Sequence, residues 1–336
     1  MLVSNSGPDA ATRAALRTLM QRLPGVSVME GSAPVEPINS SDPPLLRSAQ
    51  IVEGTSLRAI RVPGVTRQME SGFGAFLDGA QKVQVIARSG GMPIVLGTVS
   101  AAVRIRNNRR LTTWGHQPPR VERKIYLPVK YLPGLGVFDG EPLGAFGSDL
   151  LVVDTSKADR NGEYPSQHPA LLLERAVRSV DQQRELLEDK LAEGWCARAE
   201  TTLYIDGGIS RSQSVAASAS AIGVIKSHRT LYVEGEALRI VLALEKGERS
   251  SIFRVSPRSR SSVLSWYLRL RNPAGQDAMW GLVRVEMAEC DNPAERAEEV
   301  SRWVIAETSP LSLPDGRWDK MAYGVRDCEE FLRAIS

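Results

Sequence analysis

The chain has 336 residues, of which 42% are hydrophobic and 24% are charged, a composition typical of a globular protein that buries its own core. Its 42 Lys and Arg residues nearly balance its 39 Asp and Glu residues, so overall charge does not identify a nucleic-acid binder. The 3 Cys and 3 His residues form no CxxC pair and no histidine-rich cluster, which argues against a zinc ribbon. Sparse cysteines, no signal peptide and no run of ~20 apolar residues predict a cytoplasmic protein without a membrane span.

The first third of the chain predicts an N-terminal helix followed by strands. Residues 9–23 carry an apolar stripe at helical spacing, and residues 24–48 are rich in Pro, Ser and Gly. We therefore divide the chain into an N-terminal helix and extended arm (1–50) and a main domain (51–336). Within the main domain, 74–81 is predicted as a strand that ends in a turn, 82–87 and 93–105 as further strands, and Asn107-Asn108 as a hairpin turn. Residues 110–165 are predicted as an irregular insertion with short strands.

The remaining two thirds alternate helices and strands. Residues 168–193 carry apolar residues three, four and seven positions apart and predict a long helix that stops at Gly194. A buried-type strand follows at 201–205. Further strands are predicted at 221–226, 230–233, 237–243 (with a helix as the alternative), 252–255, 263–270 and 280–287. Helices at 293–308, opened by Asn292-Pro293, and at 326–335 close the chain, so the fold class is mixed α/β.

Two aspartates follow apolar strands and precede a glycine. They are Asp78-Gly79 and Asp206-Gly207. A carboxylate at the end of a buried strand is rigidly placed, and hard cations such as Mg²⁺ and Mn²⁺ take oxygen ligands. Two such carboxylates on neighbouring strands suit a two-metal phosphodiesterase site. The alternative is an ordinary hairpin turn, for which Asp-Gly is a common signal.

Two further residues are candidates for the same site. The long helix carries Glu188, which borders the apolar stripe and follows Arg184 by one turn; a solvated surface glutamate is the alternative. Lys226 ends an apolar strand 20 positions after Asp206. A lysine there can contact a scissile phosphate or stabilise transition-state charge, and an ordinary surface lysine is the alternative.

Several segments resemble the NurA family of DNA-end-processing nucleases. GAFLDGAQ (74–81) resembles the first motif of the family, and RSVDQQRELLEDKLAEGW (178–195) resembles its glutamate-bearing helix. LYIDGGIS (203–210) and IGVIKSHR (222–229) resemble the second Asp-Gly motif and the lysine motif after it. SWYLRLR (265–271), GLVRVEM (281–287) and the C-terminal tail resemble later family segments. The resemblance covers about residues 70–335, in the family order.

The resemblance implies a ribonuclease H-like core and Mn²⁺-dependent (or Mg²⁺-dependent) exo- and endonuclease activity on DNA. It implies a homodimer that works with a HerA-like hexameric ATPase in DNA end processing or anti-phage defence. Asp78, Glu188 and Asp206 would be the metal ligands, with Glu185 as second choice for the helix position. The chain departs from many relatives in having no histidine after residue 228. Asp327, Glu329 or Glu330 is the alternative terminal acid.

The DNA contacts expected on this basis come from arginines and aromatic rings. Arg106, Arg271 and Arg284 are candidates for phosphate contacts, and His228 is a weaker one. Trp114, Trp266, Tyr267 and Trp280 are candidates for stacking on bases, with core packing the more frequent use of Trp266 and Trp280. No GxxxxGK[ST] sequence occurs, so ATP-driven movement is expected from a partner. A non-catalytic adapter that clamps DNA or the ATPase is the rival function.

Overall fold

A computed structural model describes residues 10–23, 26–28, 45–66, 69–108, 110–115, 119–132, 140, 149–159, 161–198, 201–256, 260–309 and 319–335. The fold is mixed α/β, with a large mixed sheet flanked by helices. Among the described residues, no helix has a window apolar enough to cross a bilayer.

The helices and strands lie as follows. The helices are α1 (Ala10–Arg22), α2 (Pro169–Cys196), α3 (Gln213–Ala216), α4 (Gly235–Leu242), α5 (Pro293–Glu307) and α6 (Tyr323–Ile335). The strands of the first half are β1 (Val26–Val28), β2 (Leu45–Leu46), β3 (Gln50–Ile51), β4 (Ala59–Arg61), β5 (Phe73–Ser89), β6 (Met92–Asn107), β7 (Arg110–Thr113), β8 (Arg120–Leu127) and β9 (Leu151–Asp154). Those of the second half are β10 (Thr202–Asp206), β11 (Ala221–Ile225), β12 (Thr230–Leu231), β13 (Glu248–Ser250), β14 (Phe253–Val255), β15 (Val263–Arg269) and β16 (Leu282–Met287).

The central strands of the sheet are β5, β10 and β11. The sheet runs in the order β3-β14-β15-β16-β11-β10-β5-β6-β8-β9, and β12 pairs with β2 in a separate two-stranded sheet. Strand β10 is parallel to both β5 and β11, whereas β5–β6 and β11–β16 are antiparallel. The ends of β10 and β11 near Asp206 and Lys226 are therefore brought beside the part of β5 that carries Asp78, although these strands are far apart in sequence.

Helices cover both faces of this sheet. Phe76 and Tyr204 pack with residues of α5 and α6 such as Val304 and Val325. Leu77 and Leu203 pack with residues of α2 such as Trp195. This alternation along β5 and β10 is that expected of strands buried on both faces. Around the candidate site, the even-numbered Phe76 and Tyr204 thus face α5 and α6, and the odd-numbered Leu77 and Leu203 face α2.

Two sequence-based predictions of local structure are wrong, and one open alternative is settled. The strand at 74–81 does not end in a turn, because β5 runs without a break from Phe73 to Ser89 and absorbs 82–87. The long helix continues past Gly194 to Cys196. Residues 237–243 lie largely in helix α4, the alternative left open for that segment. The helices predicted at 9–23, 293–308 and 326–335 are present, with bounds within three residues.

Segments outside the central strands also join the main structure. Helix α1 packs Leu16 and Leu19 against Ile86 and Ile94 of β5 and β6. Strands β7, β8 and β9, from the stretch predicted as an irregular insertion, extend the sheet beyond β6. Residues 133–139 and 141–148 of that stretch, and most of the predicted arm at 24–48, lie outside the described residues.

Candidate functional site

The strand register brings the two Asp-Gly aspartates together. Ile205 of β10 pairs with Leu77 of β5, and the two strands are parallel. The next residues are Asp206 and Asp78, so their Cα atoms occupy neighbouring positions, about 5 Å apart in a regular ladder. Because both are even-numbered, both carboxylates lie on the face covered by α5 and α6. Sequence spacing alone could not fix this register.

The electrostatics of Asp78 reflect the closeness of the two acids. Asp78 is only 8% exposed. Burial raises its pKa well above the usual value, and the negative charges of Asp206 and Glu188 raise it further. Lys226 and a 2.8 Å hydrogen bond from the Gly79 amide to Asp78 Oδ1 act in the opposite direction. The ionised form of Asp78 is therefore disfavoured by its surroundings.

Asp206 is neutralised by the lysine predicted beside it. Lys226 Nζ donates to Asp206 Oδ2 at 2.7 Å. The lysine follows β11, whose Val224 pairs with Asp206 across the parallel ladder. After Asp206 the backbone turns away through Gly207, whose φ of 141° lies in a region that favours glycine. The turn leaves the Asp206 side chain at the end of the strand, as expected from the sequence.

Glu188 reaches β5 from the opposite layer. It is 5% exposed on α2, and its carboxylate lies directly over Gly79. A Cβ at Gly79 would come within 2.1 Å of Glu188 Oε1. Only a glycine next to Asp78 lets the helix glutamate approach this closely, which is a different use of the Asp-Gly motif from a turn. Burial raises the pKa of Glu188, while Arg184 and Arg211 lower it.

Two arginines that the sequence analysis did not assign to the site hold Glu188. Arg184 Nη1 donates to Glu188 Oε1, Nη2 donates to Asp181 at 2.6 Å and Nε donates to Gln81 at 3.3 Å. Arg211 comes from the loop after β10 and lies 3.6 Å from Glu188 Oε2. The signal for Arg184 is its i,i+4 spacing from Glu188. Arg211 has no such signal, because its partners are distant in sequence.

Arg211 also binds the exposed side of α2. Its guanidinium contacts Glu185 at 3.0 Å and Asp189 at 3.0 Å. Glu185, the second choice for the helix ligand, therefore lies in the same ion-pair network but farther from β5. This network and the aspartate pair together contain twice as many carboxylates as basic side chains. The six carboxylates are those of Asp78, Asp181, Glu185, Glu188, Asp189 and Asp206, and the three basic side chains are those of Arg184, Arg211 and Lys226. The excess of negative charge suits a cation-binding region.

The acids are not arranged as a ready ligand set. Across the ranges that the structure describes, no group of three or more His, Cys, Asp or Glu side chains is placed to hold a metal ion. The structure thus brings Asp78 and Asp206 together and places Glu188 nearby, with the oxygens of Asp206 and Glu188 engaged by basic side chains.

Residues 319–335, the described part of the C-terminal segment, line the site, and the three acids proposed from this part of the sequence are paired elsewhere. Met321 Sδ lies 3.7 Å from Lys226 Nζ, and Cys328 of α6 donates to the carbonyl of Phe76. The alternative terminal acids point elsewhere. Asp327 pairs with Arg104, while Glu329 and Glu330 both pair with Arg326.

The side chains proposed for DNA contact have partners inside the protein. The two terminal nitrogens of Arg106, Nη1 and Nη2, each donate to one carboxylate oxygen of Glu307 at 2.7 Å. Arg271 donates to the carbonyl of Thr308. Arg284 is 8% exposed and pairs with the buried Glu286 at 2.6 Å. These contacts give each arginine a structural use, which sequence patterns cannot distinguish from phosphate binding.

The histidine and three of the aromatic side chains proposed for DNA contact are also engaged inside the protein. His228 Nε2 bonds the carbonyl of Leu282 at 2.7 Å, and burial lowers the pKa of His228 to about 4. A neutral imidazole gives little attraction to phosphate. Trp266 and Tyr267 are fully buried, and Trp114 packs edge-on against Trp195, so core packing accounts for these rings.

A scan against protein-family models finds no family that matches this chain, and a search of the curated proteins finds no relative. The resemblance to the NurA family therefore rests on the motifs and their order.

Proposed function

We propose that the protein is a metal-dependent deoxyribonuclease whose site is built on Asp78 and Asp206. The observation that carries the proposal is the pair of aspartates in register on adjacent parallel strands, one of them buried so that its ionised form is disfavoured. A divalent cation between the two carboxylates would relieve their mutual repulsion. This relief is a specific reason for the site to bind one.

The donor chemistry fits Mg²⁺ or Mn²⁺. All candidate ligands are carboxylate oxygens, those of Asp78, Asp206 and Glu188, and the described part of the site offers no imidazole. Hard cations prefer such ligands. A bound cation supplies Lewis-acid stabilisation of phosphoryl oxygens and a water of lowered pKa. Asp78 and Asp206 would hold it, and Glu188 would complete the set if its oxygen is released by Arg184.

The remaining residues have roles that follow from their positions. The ammonium of Lys226, 2.7 Å from Asp206, is placed to pair with a phosphate oxygen of a bound backbone when Asp206 engages a cation. Gly207 turns the chain away and keeps the end of β10 open. Met321 provides an apolar wall beside Lys226.

The proposed fold family, substrate, oligomeric state and partner rest on the resemblance to the NurA family. The NurA-like motifs support a ribonuclease H-like core, DNA as the substrate, and a homodimer acting with a HerA-like hexameric ATPase in DNA end processing or anti-phage defence. The parallel β5–β10–β11 unit with α2 against it is compatible with that core.

One observation favours the rival function, a non-catalytic adapter that clamps DNA or the ATPase. Lys226 and Arg184 already neutralise Asp206 and Glu188, as they would in a protein that uses these acids only for stability. An adapter would bind no cation through Asp78 and Asp206.

Nuclease assays with linear and single-stranded DNA and Mn²⁺ distinguish the two functions. We expect cleavage by the unaltered chain and a loss of at least about a hundredfold in Asp78→Asn and Asp206→Asn, because metal stabilisation of the transition state amounts to several kcal/mol. Asp291→Asn, at an exposed position beyond β16, is the matched control and should cleave normally. Undiminished cleavage in both site variants rejects the assignment.

A further inference from the structure

The basic side chains around the site occupy the oxygens that a cation would need. Arg184 Nη1 is on Glu188 Oε1, Lys226 Nζ is on Asp206 Oδ2, and Arg211 Nη2 lies near Glu188 Oε2. The described residues contain no ready group of three or more metal-ligating side chains, and these ion pairs stand beside that finding. The lone pairs of two of the acids are directed at nitrogen cations.

Arg184 is the best placed of the three to exchange with a metal. Its guanidinium is anchored by Asp181 and Gln81 as well as by Glu188, so it keeps two partners after leaving Glu188. Its side chain is 22% exposed, which leaves a route to solvent. Glu188 is 5% exposed and, without Arg184, would have only Arg211 at 3.6 Å. A buried carboxylate without a close positive partner is strongly stabilised when a new cation binds to it.

We propose that Arg184 is a positioning residue that acts as an internal place-holder cation, holding Glu188 against Gly79 until a divalent metal displaces it from Oε1. The inference rests on the proposed function, since it requires a metal site at Asp78 and Asp206. It goes beyond that function because it makes metal binding an exchange, in which the protein gives up one ion pair for each cation that it takes up at Glu188.

Removing a place-holder residue should change metal affinity in the opposite direction to removing a residue that supports a metal ligand. Removing a residue that merely orients a ligand weakens metal binding. Removing a place-holder strengthens it, because the competing charge is gone and the metal-free state has lost its ion pair. The same substitution lowers the stability of the metal-free protein, so the gain in melting temperature on adding metal becomes larger.

Calorimetric titration of Mn²⁺ tests this directly. We expect Arg184→Gln to tighten Mn²⁺ binding by roughly five- to twentyfold, as expected for removing one charge a few ångströms from the ion. Arg178→Gln is the control, since Arg178 pairs with Glu174 at the same i,i+4 spacing on α2. It should leave Mn²⁺ binding within about twofold of the unaltered chain.

A second pair of variants keeps the test decisive if Arg184→Gln folds poorly. Arg184→Lys retains the charge and should bind Mn²⁺ within about threefold of the unaltered chain. In a Glu188→Gln background, Arg184→Gln should no longer tighten binding. Equal or weaker Mn²⁺ binding by Arg184→Gln, with normal binding by the unaltered chain, overturns the place-holder role and leaves the proposed function standing. No Asp78- and Asp206-dependent binding by the unaltered chain overturns both.

Discussion

Gly79 is the position where a single methyl group tests the geometry of the site. In Gly79→Ala, the new Cβ would lie 2.1 Å from Glu188 Oε1, 2.9 Å from Glu188 Cδ and 3.0 Å from Arg184 Cγ. Ordinary contact begins near 3.4 Å, so the glutamate oxygen must retreat by about 1.3 Å. That movement either breaks the Arg184 ion pair or separates α2 from β5. We expect a loss of about 1–3 kcal/mol in the free energy of unfolding, the usual cost of overpacking a filled interior.

Urea denaturation followed by circular dichroism measures this loss. The matched control is Gly194→Ala on α2, where the new Cβ meets only Trp114 at 3.2 Å and where alanine favours the helix by up to about 1 kcal/mol. Its stability should stay within about 1 kcal/mol of the unaltered chain.

A double-mutant cycle assigns the cost to Glu188. In a Glu188→Ala background the clashing carboxylate is gone, so Gly79→Ala should cost at least about 1 kcal/mol less than it does in the unaltered chain. Costs that agree within about 0.5 kcal/mol in the two backgrounds would show that Glu188 does not lie over Gly79, and the reasoning would be refuted.

Three further outcomes are expected. Burial and the charge of Asp206 raise the folded-state pKa of Asp78 well above 3.8, so the stability contributed by this group is full below pH 3.8 and is lost as pH rises through the folded pKa. Asp78→Asn should therefore be more stable than the unaltered chain at neutral pH in urea titrations, with a difference that shrinks near pH 4, and a destabilised variant contradicts this. Burial lowers the pKa of His228 from 6.5 to about 4 in the folded protein. The stability that its neutral ring contributes is therefore full above pH 6.5 and is lost as pH falls from 6.5 through 4. Its imidazole NMR signals should remain those of the neutral ring at pH 5.5, and a charged ring at that pH refutes the burial argument. Arg249 is fully buried on Glu53, so Arg249→Met should lower the free energy of unfolding by roughly 3–5 kcal/mol, and a loss below about 1 kcal/mol in urea titrations is inconsistent with the pair.

The sequence predicted α1, α2, α5, α6 and most of the strands because their signals are local. Apolar spacing identified α1 and α2, Asn292-Pro293 identified the start of α5, and a β-branched run identified β6. The failure at Asp78-Gly79 has a tertiary cause. A glycine selected for close approach of Glu188 looks, in one dimension, the same as a glycine selected for a turn.

The candidate site was predicted in part. Asp78, Asp206 and Lys226 come together because strands that are distant in sequence pair in a particular register, which motif order suggested but periodicity cannot give. Arg211 was missed because a loop arginine with partners on another element has no local pattern. Arg106 pairs with Glu307, which lies 201 positions away in sequence, so no feature near Arg106 indicates that partner. Glu286 lies two positions after Arg284 in β16, a spacing that places both side chains on one face of the strand.

Crystals grown with Mn²⁺ and measured for its anomalous scattering test the central claim most directly. We expect an anomalous peak within about 2.5 Å of an oxygen of both Asp78 and Asp206. A peak bound to neither aspartate, or none at a Mn²⁺ concentration that supports DNA cleavage, would contradict a metal centre at this pair of strands.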